Sequence, residues 1–223
     1  MRLDLLTEDV VVKLQEVRAI FVYRDLPYLG SFHSSNPRLD SIWMTGAYTA
    51  HLNMQNYLWD GIKRDRLVWM GDAHPELRTI LSVFGDNEVL RKTFDQARDQ
   101  TPLPGWMNGI CAYSLWWILI HRDYYNYTGD RAYLTEQQQY LEGLLSQVIE
   151  SVDEQGREHL QGGGRFLDWP TSKNKPAVNA GLQALVVMSL EAGEQLMQVL
   201  NNDSLASRCQ VTVERMRQAI PDY

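Results

Sequence analysis

Asn36-Pro-Arg-Leu-Asp-Ser-Ile-Trp43 is where the chain changes its period. Asn is a good helix cap, and Pro is tolerated at the first helical position because its missing N–H would be unpaired there anyway. From this point Leu39, Ile42, Trp43, Ala47 and Ala50 recur at helical spacing, which predicts a helix from Pro37 to about Gln55. Upstream the pattern is different. Val17, Ala19, Phe21 and Tyr23 alternate with Arg18, Ile20, Val22 and Arg24, and Pro27 and Gly30 mark a turn, so residues 9 to about 33 read as strand.

Downstream the helical reading continues almost to the end. Six further helices are expected: one after His74-Pro75-Glu76 ending at Gly85, then Asp86 to about Arg98, Ile110 to Thr128, Asp130 to near Val152, Pro176 to Leu200, and Asp203 to about Ala219. Gly85-Asp86, Gly129-Asp130 and Asn201-Asn202-Asp203 each join a helix breaker to a cap residue. Links this short make antiparallel hairpins. Two connections are longer, Trp59 to Asp72 and Gly156 to Lys175. In a helical scaffold, long connections are where function usually sits. The fold class is therefore mostly α, with a short β lead-in (1–33) and a helical body (34–223).

Composition narrows the function. With 21 Lys and Arg against 28 Asp and Glu, the net charge of −7 disfavours a nucleic-acid or anionic-membrane partner. Two cysteines, Cys111 and Cys209, are too few for a disulfide framework or a cysteine zinc site. The five histidines lack a ligand spacing, so no metal is expected. No apolar run is long enough to span a bilayer, and Met1 to Asp9 carries acids where a signal peptide would continue its apolar region. The expectation is a soluble chain; any export signal of a parent protein would lie upstream. His121-Arg-Asp123 has the order of a kinase catalytic loop, but neither a nucleotide loop nor Asp-Phe-Gly accompanies it. Gly162-Gly-Gly164 lacks the ending of a phosphate loop and reads as a flexible turn, with an active-site lid as the minor reading.

The chemistry concentrates in Asp60-Gly-Ile-Lys-Arg-Asp-Arg-Leu-Val-Trp-Met-Gly-Asp72, which places three carboxylates, three cations and an indole within one connection. If part of it were helical, Asp65, Trp69 and Asp72 would share a face. Lys63 and Arg64 would hold neighbouring carboxylates ionised, while burial against Trp69 would raise the pKa of one of them. Two carboxyls with separated pKa values are what general acid chemistry needs.

This stretch resembles the signature of the bacterial α-L-rhamnosidases, which reads Asp-x-Pro-x-Arg-Glu-Arg-Leu-x-Trp-x-Gly-Asp. Gly30 to Trp43, Tyr113-Ser-Leu-Trp-Trp117, Asp123 to Asp130 and Phe166-Leu-Asp-Trp-Pro170 resemble further segments of that family, in the same order. The resemblance implies part of an (α/α)6 six-hairpin toroid and an inverting glycoside hydrolase acting on terminal α-L-rhamnosyl or related 6-deoxy sugars, with no cofactor. It implies Asp65 as general acid, Asp60, Arg64 and Asp72 as ligands of the sugar hydroxyls, and Trp69, Trp116 or Trp117, and Trp169 as apolar walls. Carboxylates and Arg suit hydroxyls, and indole rings suit the C–H faces of a sugar. Two departures stand out: Asp65 replaces the family's Glu, shortening the acid by one methylene, and Gly61-Ile62 replaces a small residue and Pro. A full toroid has twelve helices and its base is a Glu on a late helix, so seven helices suggest a fragment without the base, inactive alone, with an uncovered helix edge favouring self-association. The alternatives are a non-catalytic carbohydrate binder on the same scaffold, a six-hairpin glucuronyl hydrolase or lyase with a basic pocket, and a helical interaction scaffold with no pocket at Asp60–Asp72.

Overall fold

The structure, a computed structural model, describes Asp4, Leu6 and residues 11–219. Among these residues are seven α-helices: α1 (Pro37–Asn53), α2 (Met70–Phe84), α3 (Glu88–Asp99), α4 (Cys111–Thr128), α5 (Arg131–Glu150), α6 (Lys175–Val199) and α7 (Asp203–Gln218). A 3-10 turn, Met107–Gly109, precedes α4.

The helix starts follow from capping. Asn36, Asn87, Asp130, Asn174 and Asn202 each accept a hydrogen bond from a backbone N–H in the first turn that follows. Gly129 ends α4 in the left-handed conformation (φ 67°) that its missing Cβ permits, and its N–H closes on Tyr125 O at 2.8 Å.

The second helices of three successive pairs, α2, α4 and α6, form a row in which α2 packs on α4 and α4 on α6. α4 is buried almost all round, with Leu115, Trp117, Ile118 and Leu119 fully inaccessible. α1 flanks α2, and α5 and α7 flank α6. The α3 helix is pinned to α4 by Phe94, whose carbonyl accepts from Trp117 Nε1 at 3.2 Å. This arrangement is a stack of paired helices, an α/α architecture.

Three expectations need correction. First, residues 11–34 form no strand, and residues 9 and 10 lie outside the described residues. The alternating side chains Val17, Phe21 and Tyr23 are exposed together with Ile20 and Val22. A strand needs a partner ladder, and among the described residues none adjoins this segment. It runs instead as an extended strap tied to the helices: Arg24 Nε donates to Gln55 O at 2.8 Å, and the N–H groups of Leu29 and Gly30 donate to Val83 O at 2.7 and 2.9 Å. Gly30 lies so close to α2 that a Cβ would meet Ser82 O at 2.0 Å.

Second, the apolar stripe of α1 is only half used. Ala47 and Ala50 are buried, whereas Leu39 and Ile42 are 46% and 58% exposed. Third, α2 begins one turn before the sequence signal, at Met70 rather than after Pro75. Trp69 gives it no side-chain cap. The cap comes from far away: Asn108 Oδ1 accepts from Met70 N at 3.0 Å. Local periodicity carries no trace of such a contact.

Candidate active site

The stretch 60–72 is a loop followed by the first turn of α2, not a helix throughout. The loop closes on itself. Asp60 N donates to Leu67 O at 3.1 Å, and Asp60 Oδ1 accepts from Leu67 N at 3.3 Å. Arg66, at φ 53°, turns the chain, and its N–H reaches Gly61 O at 3.0 Å. The Ile62 N–H, which a Pro at that place would lack, donates to Asn53 Oδ1 at 3.2 Å and anchors the loop to α1. Asp65 and Asp72 therefore meet through loop closure rather than through a helical period.

The product is a hollow of about 370 Å³ lined by Asp60, Arg64, Asp65, Trp69 and Asp72 from this stretch, Ile110 and Tyr113 from the start of α4, and Phe166, Trp169 and Ser172 from the connection before α6. It thus sits where the row α2–α4–α6 presents its N-terminal ends. Partial positive charge at helix N-termini favours bound or developing negative charge. A helical interaction scaffold without a pocket is inconsistent with this hollow. A uronic-acid pocket would be basic, but this one sets three carboxyls against Arg64.

Inside the hollow, Arg64 grips Asp65 with two parallel bonds, Nε to Oδ1 at 2.9 Å and Nη2 to Oδ2 at 2.8 Å. The guanidinium holds the Asp65 carboxyl below the usual carboxylate range. The nearby Trp69 indole adds to this pull, although its Nε1 forms no hydrogen bond of good geometry. Arg64 is 78% exposed along its side chain and Asp65 25%, so the pair lies at the mouth with the Arg on the solvent side.

Asp72 behaves oppositely: burial and the charge of Asp60 push its pKa up. One turn further along α2, Glu76 is half-buried and is pushed up to about 8 by burial and by the charges of Asp72 and Asp60. Glu76 is not among the residues that line the hollow; its i, i+4 spacing from Asp72 puts both on one helix face, behind the site.

Of the expected aromatic walls, Trp69 and Trp169 line the hollow and Trp116 and Trp117 do not. Trp117 is fully buried in the core, and Trp116 stacks on His74 with ring centroids 4.9 Å apart. Adjacent residues on a helix point about 100° apart, and α4 has turned both past the opening. The aromatic that α4 does supply is Tyr113, in its first turn. Tyr113 meets Trp69 edge to face at 6.0 Å and presses so closely on Gly71 that a Cβ there would sit 2.4 Å from its ring. Trp169 is 78% exposed, with Phe166 edge-on behind it at 5.2 Å.

The triple glycine is no free hinge. Gly163 lies under Trp106, where a Cβ would meet the ring at 2.7 Å, and Gly164 bonds to Gly109 and Cys111. Among the described residues no cluster of His, Cys, Asp or Glu could hold a metal, and no helix is long and apolar enough to cross a membrane.

Residues 27–222 match the family model of the bacterial alpha-L-rhamnosidase six-hairpin glycosidase domain. The chain belongs to this family. The crystal structure of a GH78 family rhamnosidase of Bacillus sp. GL1 matches over 89% of the chain with a TM-score of 0.76 at 22% identity. At that identity the match speaks for the fold. The chain spans 22% of that protein's length. Among curated proteins none matches. The chain is thus a rhamnosidase-type six-hairpin glycosidase domain, and the resemblance drawn from Asp60–Asp72 holds over nearly its whole length.

Proposed function

We propose that this glycosidase domain supplies the acid side of an inverting hydrolase that removes terminal α-L-rhamnosyl or a related 6-deoxy sugar. The observation that carries the reading is the convergence of Asp60, Arg64, Asp65, Trp69 and Asp72 on one hollow. Asp60, Asp72 and Arg64 hold sugar hydroxyls, and Trp69 and Trp169 face the C–H surfaces and the methyl group.

Asp65 donates a proton to the leaving oxygen. In the free domain its bond to Arg64 favours the ionised form. A sugar that takes over Arg64 as a hydroxyl ligand releases Asp65 among Asp60 and Asp72, where its proton affinity rises. Inversion needs a second carboxylate across the sugar to activate water. That base is assigned to no residue of this chain, and hydrolysis is proposed for the complete enzyme. Residues 34–223 are taken as the toroid part, with 1–33 as the segment that leads into it.

One observation favours a second reading. The bidentate Arg64–Asp65 pair would suit a domain that binds sugar without cleaving it. Asp65→Asn separates the two. In the complete enzyme it should abolish release of the aryl group from an aryl α-L-rhamnoside and leave L-rhamnose affinity within about twofold. Undiminished hydrolysis would overturn the assignment of the acid, and absence of hydrolysis in the unmutated enzyme would favour the binder.

A further inference from the structure

The three segments that line the hollow are distant in sequence, and the middle one, 106–111, touches both of the others. On one side it reaches the loop before α2: Asn108 Nδ2 donates to Val68 O at 2.9 Å, and Asn108 Oδ1 accepts from Met70 N at 3.0 Å. On the other side it reaches the connection before α6. Gly109 O accepts from Gly164 N at 2.7 Å, Cys111 N donates to Gly164 O at 3.1 Å, and Trp106 Nε1 donates to Gln161 O at 2.6 Å. The Asn108 amide therefore pairs with the two backbone groups on either side of Trp69, much as the peptide of a neighbouring strand would. One of them, the Met70 N–H, is a first-turn donor of α2 that has no partner within the helix.

Asn108 sits at φ 52°, ψ 18°, in the left-handed region. There Asn costs less than other residues bearing a side chain, and Gly costs nothing. Backbone preference alone would be met as well by Gly, so it leaves the two side-chain bonds unexplained.

We infer that Asn108 is the positioning residue of the hollow: its amide clamps the backbone on both sides of Trp69 and ties that wall, through Gly109 and Cys111, to the segment carrying Trp169. The consequence for sugar affinity rests on the reading proposed above; the clamp itself does not.

Asn108→Gly tests it, because Gly keeps the backbone conformation and removes both bonds. The probe is the Trp69 indole N–H resonance of the full chain in a 15N-edited spectrum, assigned by its loss in Trp69→Phe. In Asn108→Gly this resonance should shift and broaden while the melting midpoint stays within a few degrees. The dissociation constant for L-rhamnose should rise about fivefold, the share of one or two ordinary hydrogen bonds. Asn108→Asp keeps the acceptor for Met70 and loses the donor for Val68, and should shift the resonance by an intermediate amount.

An unmoved Trp69 resonance in Asn108→Gly overturns the inference. If that variant does not fold, the same resonance in Asn108→Asp decides: a shift supports the clamp and no shift overturns it. Failure of the unmutated chain to bind L-rhamnose would count against the sugar reading and leave the resonance free to decide on the clamp.

Discussion

The two ends of α4 are built from the same residue types and are opposite in electrostatic character. At its C-terminal end, Arg91 donates to Tyr124 OH at 2.7 Å and to Asp86 at 2.9 Å, and pairs with Asp130 at 2.9 Å, while its guanidinium lies 5.2 Å from the centre of the Tyr133 ring. Arg98 meets Asp95 at 3.2 Å and Asp99 at 2.8 Å, and Tyr133 OH and Gln137 Nε2 both donate to Asp95. Every carboxylate there has a cation or donor. At the N-terminal end Asp60, Asp65 and Asp72 face one Arg64, which is mostly solvent-exposed, and Glu76 is pushed up to about 8. A saturated network holds three helices together. An unsaturated one leaves charge repulsion in place, which the sugar proposed above would relieve through its hydroxyls.

The largest test of this contrast is on catalysis. Asp65→Asn in the complete enzyme should lower kcat on an aryl α-L-rhamnoside by about 10²–10⁴-fold, the usual worth of a positioned general acid, whereas Arg91→Ala at the other end should leave kcat within about twofold.

A second test concerns acid stability. His121 is buried in α4, with Nδ1 on Trp117 O at 2.8 Å and Nε2 unpartnered, and burial pushes it down to about 4. The folded state therefore favours the neutral ring. As pH falls from about 6.5 toward 4 the unfolded chain takes up the proton first, so stability is lost across that window, by about 3 kcal/mol. Urea titrations of the unmutated chain and of His121→Phe should diverge by that amount between the two pH values and run parallel below 4. A constant difference from pH 7 to 4 would contradict it.

Glu76 carries the opposite sign. Its raised pKa means that the folded state favours the protonated acid. The associated stability is present below about 4.5 and is lost as pH rises through about 8. Because the side chain is only half-buried, solvent reduces the effect to about 2 kcal/mol. Glu76→Gln should remove the decline, which a thermal melt at pH 5 and pH 9 would reveal. Smallest is Arg91→Ala, expected to cost about 1 kcal/mol of unfolding free energy with no change in L-rhamnose affinity. A loss of affinity there would break the division between a structural end and a functional one.

The helices that begin with their own Asn or Asp cap, α1, α3, α5, α6 and α7, lie within about two residues of their expected starts, because the cap is a neighbour in sequence. Asp60, Arg64, Asp65, Trp69 and Asp72 were legible as one group because one short loop carries them all. Tyr113 and Phe166 belonged to segments already singled out, yet of the residues chosen within those segments, Trp116 and Trp117 in one and Trp169 in the other, only Trp169 lines the hollow. A helix start determines which of its residues can face an opening, and a shift of one position rotates that face by about 100°.

Local rules of capping, periodicity and loop composition were enough for the helical class, the order of its elements and the charged loop, since these depend on groups a few residues apart. Contacts across the fold decided the start of α2, the absence of a ladder along the lead-in and the wall shared by three loops. Each of those depends on partners brought close in space, as Asn108 is to Met70, and no window of neighbouring residues contains both.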